Sequence, residues 1–267
     1  MLGKILNITS LQNPIIKDLT KIIRSNNQKE LKSFICEGNF FLKSAFENKW
    51  EIQTLVINSN VSFSTEITKI INDCILKNVK VISVDKKILS KLSNNNNAQN
   101  IIFKVKKKKF SFSDFNINDV HVAIDGITDP GNLGTILRTM DGVGASDCIL
   151  LDECTDPFSY ESVRASMGAI FNVNIIASSS KNFLKWKSKH KISLIGTSLI
   201  NATDYTQTNW QLPFILAMGN EQQGLSRNIL NACDQLIKLP MLGRSDSLNL
   251  AVSTGVALYE SIRNNPN

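Results

Sequence analysis

Six short apolar runs, at 120–124, 148–151, 173–176, 192–195, 214–218 and 236–239, recur roughly 20 to 27 residues apart along the second half of this chain. That interval is too long for hairpins and suits strands joined by crossover helices, which parallel pairing requires. Most intervening segments accept a helix (135–143, 160–171, 182–188 and 227–233), and a last helix at 249–263 closes the chain. The expected fold class is α/β, with a mostly parallel sheet covered on both faces.

The first half reads differently. Ile15, Ile16, Leu19, Ile22 and Ile23 have helical spacing within 12–24, and 40–50 reads as a second helix. Strands are expected at 52–57, 79–84 and 101–105, with a helix at 66–78 between the first two. These make a small α/β domain. Asn94 to Asn97 form a polar loop, and a lysine run at 106–109 leads into a Ser-, Asp- and Asn-rich stretch. The expected organisation is a domain at 1–109, a linker at 110–118 and a second domain at 119–267.

Charge divides along the same line. Residues 1–118 hold 19 Lys and Arg against 9 Asp and Glu, net +10, whereas 119–267 hold 11 against 14, net −3. A basic half is expected to hold a polyanion such as nucleic acid, although lysines that merely solubilise the chain explain the same count. No apolar run approaches the roughly 18 residues of a spanning helix, and the first ten residues lack a signal-peptide pattern, so the cytoplasm is the expected compartment. Cys36, Cys74, Cys148, Cys154 and Cys233 are odd in number and never form a CxxC pair, so they are read as free, mostly core thiols rather than disulfides or a zinc site.

In an open parallel sheet, ligands collect beyond the carboxyl ends of the strands. Three loops there combine glycine with polar side chains: 125–134, which feeds a helix bearing Arg138; 219–224; and 240–249. None matches a phosphate-binding P-loop, and Gly142-Val143-Gly144 lies after a helix and before a strand, the wrong order for a dinucleotide fingerprint. His121 and His190 both fall outside these loops, which weakens histidine-based nucleophile or metal chemistry and leaves no metal expected.

Three of these segments resemble a known family. The run from Asp129 to Thr139 (DPGNLGTILRT), the run from Leu216 to Ser226 (LAMGNEQQGLS), and Leu239 to Met241 (LPM) with Ser247 to Val252 (SLNLAV) are similar, in order and spacing, to motifs 1, 2 and 3 of the SpoU/TrmH RNA methyltransferases. Arg164 to Ala169 (RASMGA) is similar to a segment between motifs 1 and 2. Ser10 to Pro14 (SLQNP) and Phe34 to Gly38 (FICEG) more loosely resemble the family's N-terminal RNA-binding domain, a fold shared with some ribosomal proteins. Arginines usual before Phe34 are missing, and Gln99-Asn100 stands where Gln-Gly is typical.

The resemblance implies S-adenosylmethionine-dependent methylation of a ribose 2′-hydroxyl in RNA, ribosomal RNA for this domain arrangement. It also implies a deep trefoil knot, which general topology rules would not suggest, and a homodimer with active sites near the interface. Transfer RNA as substrate and a non-catalytic RNA-binding assembly factor stand as alternatives. The implied catalytic residues are Asn132, Arg138, Glu221, Ser247 and Asn249. A guanidinium is a cationic donor with no acceptor, so Arg138 suits stabilising the developing alkoxide or gripping a phosphate better than acting as a base. Thr197, Met218, Gly219, Leu239, Met241, Ser247 and Leu248 are the implied cofactor residues. Lys104, Lys106, Lys107, Lys108 and Lys109 are candidates for tracking RNA phosphates, with a solvated linker as the equal alternative.

Overall fold

The structure is a computed structural model that describes residues 5–25, 28–93 and 97–265. Apart from Asn97, the expected polar loop at 94–97 lies outside the described residues, as do the first four residues of the chain. The described chain forms two compact units. One contains the residues through Lys108 together with Phe158–Val163; the other contains Lys109–Pro157 and the residues from Arg164 onward.

The first unit runs β1 (Leu6–Asn7), α1 (Pro14–Ile23), β2 (Ser33–Glu37), α2 (Asn39–Glu47), β3 (Ile52–Asn58), α3 (Thr65–Leu76), β4 (Lys80–Val84), α4 (Lys86–Leu92) and β5 (Ile101–Lys106). Its sheet has the order β1-β4-β3-β5-β2. β5 runs antiparallel to both its neighbours, while β1, β4 and β3 are parallel. Asn13 sets the start of α1: its side chain accepts from the Ile15 N–H at 2.9 Å, and Pro14 follows where its missing N–H is harmless. Ile16 and Leu19 then meet Val56, Ile82, Leu89 and Ile102 in one apolar cluster. Phe158 packs on this unit, its ring 4.8 Å from that of Phe34. At the position where Gln-Gly is usual, Asn100 accepts a hydrogen bond from Asn58 at 2.8 Å.

The second unit contains β6 (Val120–Asp125), α5 (Pro130–Val143), β7 (Asp147–Leu151), the end of α6 (Tyr160–Ala165), β8 (Asn174–Ser178), α7 (Ser180–Lys187), β9 (Ser193–Thr197), β10 (Thr203–Asp204), β11 (Phe214–Met218), α8 (Arg227–Ala232), β12 (Gln235–Lys238) and α9 (Leu250–Asn264). The seven strands lie in the order β10-β12-β9-β11-β6-β7-β8, and every pairing is parallel. Phe214–Met218 is buried throughout, as a strand covered on both faces must be.

Three expectations change here. α5 begins at Pro130, five residues before the expected start at 135, because the Asp129 carboxylate accepts from the Asn132 N–H at 2.6 Å and caps the helix. Asn132 therefore sits in a first helical turn rather than in a loop. The helix expected over 160–171 stops at Ala165 and resumes as a short 3-10 turn, because Met167 (φ 46°) and Gly168 (φ 88°) adopt left-handed backbone. The stretch 110–118, expected as a linker, packs onto the second unit: Phe115 is buried, and Phe112 stacks on Trp186 with centroids 4.6 Å apart. The aromatic residues within the polar composition supply that packing.

Candidate active site

Strand order dictates which loops can meet. β9 lies between β12 and β11, and β11 lies between β9 and β6, so the segments leaving their carboxyl ends emerge side by side. Those segments begin at Thr197, after Lys238, after Met218 and after Asp125. The last three of them carry the three sequence motifs.

Residues 220–224 form a closed strap. Asn220 N–H donates to the Gly224 carbonyl at 3.0 Å, Gly224 N–H returns the bond at 2.9 Å, and the Asn220 side-chain oxygen accepts from the N–H groups of Gln222 and Gln223. Gly219 allows this closure, since a Cβ there would lie 2.1 Å from the Gly224 carbonyl carbon. Two hooks fasten the strap to the end of β6: Asn220 Nδ2 donates to the Gly126 carbonyl at 2.8 Å, and Ser226 N–H donates to the buried Asp125 carboxylate at 2.7 Å. Neither Asn220 nor Asp125 stood out in the sequence as a site residue. The signal available was an Asn beside Gly219 in a loop with several backbone groups to satisfy.

The strap presents Glu221, whose Oε1 accepts from Asn132 Nδ2 at 3.1 Å. Asn132 Oδ1 in turn accepts from Asn249 Nδ2 at 2.9 Å. Asn249 also caps α9, taking the N–H groups of Ala251 and Val252 on its Oδ1. One chain of hydrogen bonds thus joins three motif residues separated by 89 and 117 positions from Asn132. The amide of Asn132 is held in one orientation by a carboxylate at its NH₂ and a donor at its oxygen.

Arg138 and Ser247 do not join this chain. Arg138 is exposed on α5, and six residues of helix rotate it to a different face from Asn132. Ser247 is exposed and forms no hydrogen bond among the described residues. Capping explains Asn249 in part and Ser247 not at all.

Thr197, Met218, Gly219, Leu239, Met241 and Leu248 lie at or after the ends of β9, β11 and β12. Thr197 donates to the Ala217 carbonyl at 3.5 Å, and Ser198 N–H donates to that of Ile237, which tie these ends together. Apolar side chains are left uncovered here: Leu199 is 71% exposed, Ile200 74%, Leu242 97% and Leu248 41%. Exposed leucines and isoleucine beside turning backbone fit a ligand that is part apolar ring and part hydrogen-bonding chain, as S-adenosylmethionine is.

The five candidate lysines fare unequally. Lys104 pairs with Asp18 at 2.8 Å, Lys106 pairs with Glu51 at 2.7 Å, and Lys107 lies over the Phe158 ring. Lys108 donates to the Asn48 carbonyl and covers Trp50, and burial lowers its pKa. Of the five, Lys109 alone has no such partner among the described residues.

Residues 119–259 match the family model described as the SpoU rRNA Methylase family, and residues 13–102 match an MRM3-like substrate binding domain. The chain is 34% identical to an S-adenosylmethionine-bound rRNA methyltransferase from Sinorhizobium meliloti, covering 99% of this chain and 100% of that one with a TM-score of 0.91. A solved RNA 2′-O ribose methyltransferase is 26% identical, with a TM-score of 0.82 over 97% of this chain and 99% of the other. From Bacillus subtilis, the 23S rRNA (guanosine(2553)-2′-O)-methyltransferase RlmP is 23% identical over 254 residues, 94% of this chain and 97% of that protein.

Proposed function

Since the chain belongs to the SpoU rRNA methylase family and uses S-adenosylmethionine to methylate RNA, we propose that it methylates a ribose 2′-oxygen of ribosomal RNA. The observation that carries this reading is the chain Asn249–Asn132–Glu221, which gathers motifs 3, 1 and 2 at the carboxyl edge of the sheet. The B. subtilis relative's name and the match of residues 13–102 to a substrate-binding domain support the oxygen and the RNA class.

When bound, S-adenosylmethionine supplies a methyl group on a positively charged sulfur. Backbone around Gly219, Leu239 and Leu248 would hold it, with Thr197, Met218, Met241 and Ser247 adjoining and the apolar side chains flanking its adenine. The ribose hydroxyl is a poor, neutral nucleophile, so positioning and stabilisation of its developing negative charge decide the rate. Arg138 stabilises that charge or grips the neighbouring phosphate. Glu221, Asn132 and Asn249 form the preorganised wall against which RNA docks.

We propose further that the active protein is a homodimer, the second copy covering exposed Val252 and Tyr259 on α9 and completing the surroundings of Arg138. We also propose that the second unit is knotted. The placement of β11 between β9 and β6, with α9 packed back on α5 and β11, supports that topology. No helix among the described residues is long and apolar enough to cross a membrane, and we place the activity in the cytoplasm.

The test compares wild type with Arg138→Ala and Arg138→Lys in methyl transfer to unmodified ribosomal and transfer RNA, with cofactor binding measured by calorimetry. Ribosomal RNA should be labelled, Arg138→Ala should lose transfer while keeping cofactor affinity, and Arg138→Lys should recover little. Transfer to tRNA alone would replace the substrate. Cofactor binding without transfer to any RNA would favour a non-catalytic RNA-binding factor.

A further inference from the structure

We propose that a lysine ridge formed by α7 and the turn after it is a second RNA-phosphate contact surface, outside the catalytic loops; this rests on the RNA methyltransferase reading above. Residues 119–267 have a net charge of −3, yet 181–191 hold five lysines and no acidic residue. Outside that segment the same half has 6 basic and 14 acidic side chains, net −8. The catalytic half is therefore charge-segregated, which its total conceals.

One of the five, Lys187, is neutralised by Asp234 at 2.7 Å. Lys181, Lys185, Lys189 and Lys191 are exposed and form no ion pair or hydrogen bond among the described residues. Their mounting is rigid. Ser179 caps α7, Phe183 is wholly buried in the core, and Trp186 is stacked on Phe112 and lies 4.7 Å from the His190 ring. Lys181 and Lys185 stand one helical turn apart on the same face, about 6 Å along the axis.

No large apolar side chain is exposed within 181–191. A protein interface needs buried aromatic or aliphatic anchors, and a membrane-binding helix needs an exposed apolar face. A polyanion needs neither, because point charges suffice to hold phosphates. α7 starts just past the carboxyl end of β8, the outermost strand, and runs to the amino-terminal edge of the sheet, where Lys189 and Lys191 precede β9 on the side opposite the motif loops. The ridge thus grips RNA away from the target nucleotide and contributes to affinity rather than to chemistry.

The experiment measures affinity of the full-length protein for a labelled, unmodified ribosomal RNA transcript against potassium chloride concentration. It compares wild type, Lys185→Gln, the Lys181→Gln/Lys185→Gln pair and the four-fold Gln variant. Each lysine removed should lower the slope of log K against log salt by roughly 0.7–0.9, while methyl transfer at saturating RNA and cofactor affinity stay at wild-type values. An unchanged slope in the four-fold variant would overturn the ridge. If wild type itself failed to bind or methylate RNA, the functional reading would fall instead. Loss of cofactor affinity in the variants would assign the lysines to the fold and also overturn the ridge.

Discussion

A methyl group added at Gly219 would lie 2.1 Å from the Gly224 carbonyl carbon, 2.2 Å from the Leu225 nitrogen and 2.5 Å from the Gly224 oxygen. These are backbone atoms, so no rotamer change relieves the overlap. Ordinary contact begins at 3.4 Å, and the strap must retreat by about an ångström. That movement breaks the two Asn220–Gly224 bonds and slackens the loop that presents Glu221. Two lost hydrogen bonds at about 1 kcal/mol each, with overpacking strain of about 1–3 kcal/mol, put Gly219→Ala at roughly 3–5 kcal/mol of destabilisation. Gly224 provides the contrast. Its φ is +68° and nothing lies within 4 Å of an added methyl, so Gly224→Ala carries the left-handed penalty alone, about 1–2 kcal/mol. Urea unfolding followed by fluorescence of Trp186 and Trp210, both in the second unit, reads the difference. In a thermal melt each kcal/mol corresponds to about 2–4 °C. Equal losses at the two glycines, or a Gly219→Ala protein as stable as wild type, would refute the steric argument.

Asn132→Ala breaks both links of the central chain at a half-buried position; methyl transfer should fall by roughly 10–100-fold, on the order of 1.4–2.7 kcal/mol in the barrier, with unfolding midpoints nearly unchanged. Asp125→Ala strands the Ser226 N–H and should cost about 1–3 kcal/mol, whereas Asp125→Asn keeps an acceptor and should cost less in the same urea titration. For Asp147, burial alone would raise the carboxyl, but neighbouring His121 and hydrogen bonds from Asn174 and Ser146 hold it below its ordinary value. A depressed folded value gives stability that is present above the unfolded value near 3.9 and lost as pH falls through the folded one. Asp147→Asn should therefore flatten the acid limb of a stability-against-pH curve. Burial pushes the thiol of Cys233 up to about 12 and that of Cys74 to about 11, so both should react with a thiol reagent at pH 8 only after denaturant is added.

Much of the second unit was legible because its strands are buried on both faces and read as uninterrupted apolar runs. The match at 214–218 is complete for that reason. The first unit was harder. β2 has five residues and an ordinary mixture of side chains, and its place at the sheet edge comes from pairing with β5, a contact distant in sequence. The start of α5 was missed because Pro130 and Gly131 suggest a turn, while Asp129 supplies the cap that makes Pro130 a first helical residue. At the site, Asn132, Glu221 and Asn249 were identifiable from motif resemblance, but their direct hydrogen bonding was not. Asp125 and Asn220 escaped notice because a residue that fastens a loop leaves little local pattern. The lysines of 104–108 appeared available in sequence, yet acidic and aromatic partners elsewhere in the fold engage them.

The position of the transferred methyl tests the account most directly. Unmodified ribosomal RNA is incubated with the protein and S-adenosylmethionine carrying a labelled methyl group, then hydrolysed in alkali. A ribose 2′-O-methyl removes the hydroxyl that alkali needs to cleave the adjoining phosphodiester, so the account predicts label in an alkali-resistant dinucleotide. Label recovered in mononucleotides, and hence on a base, would contradict it.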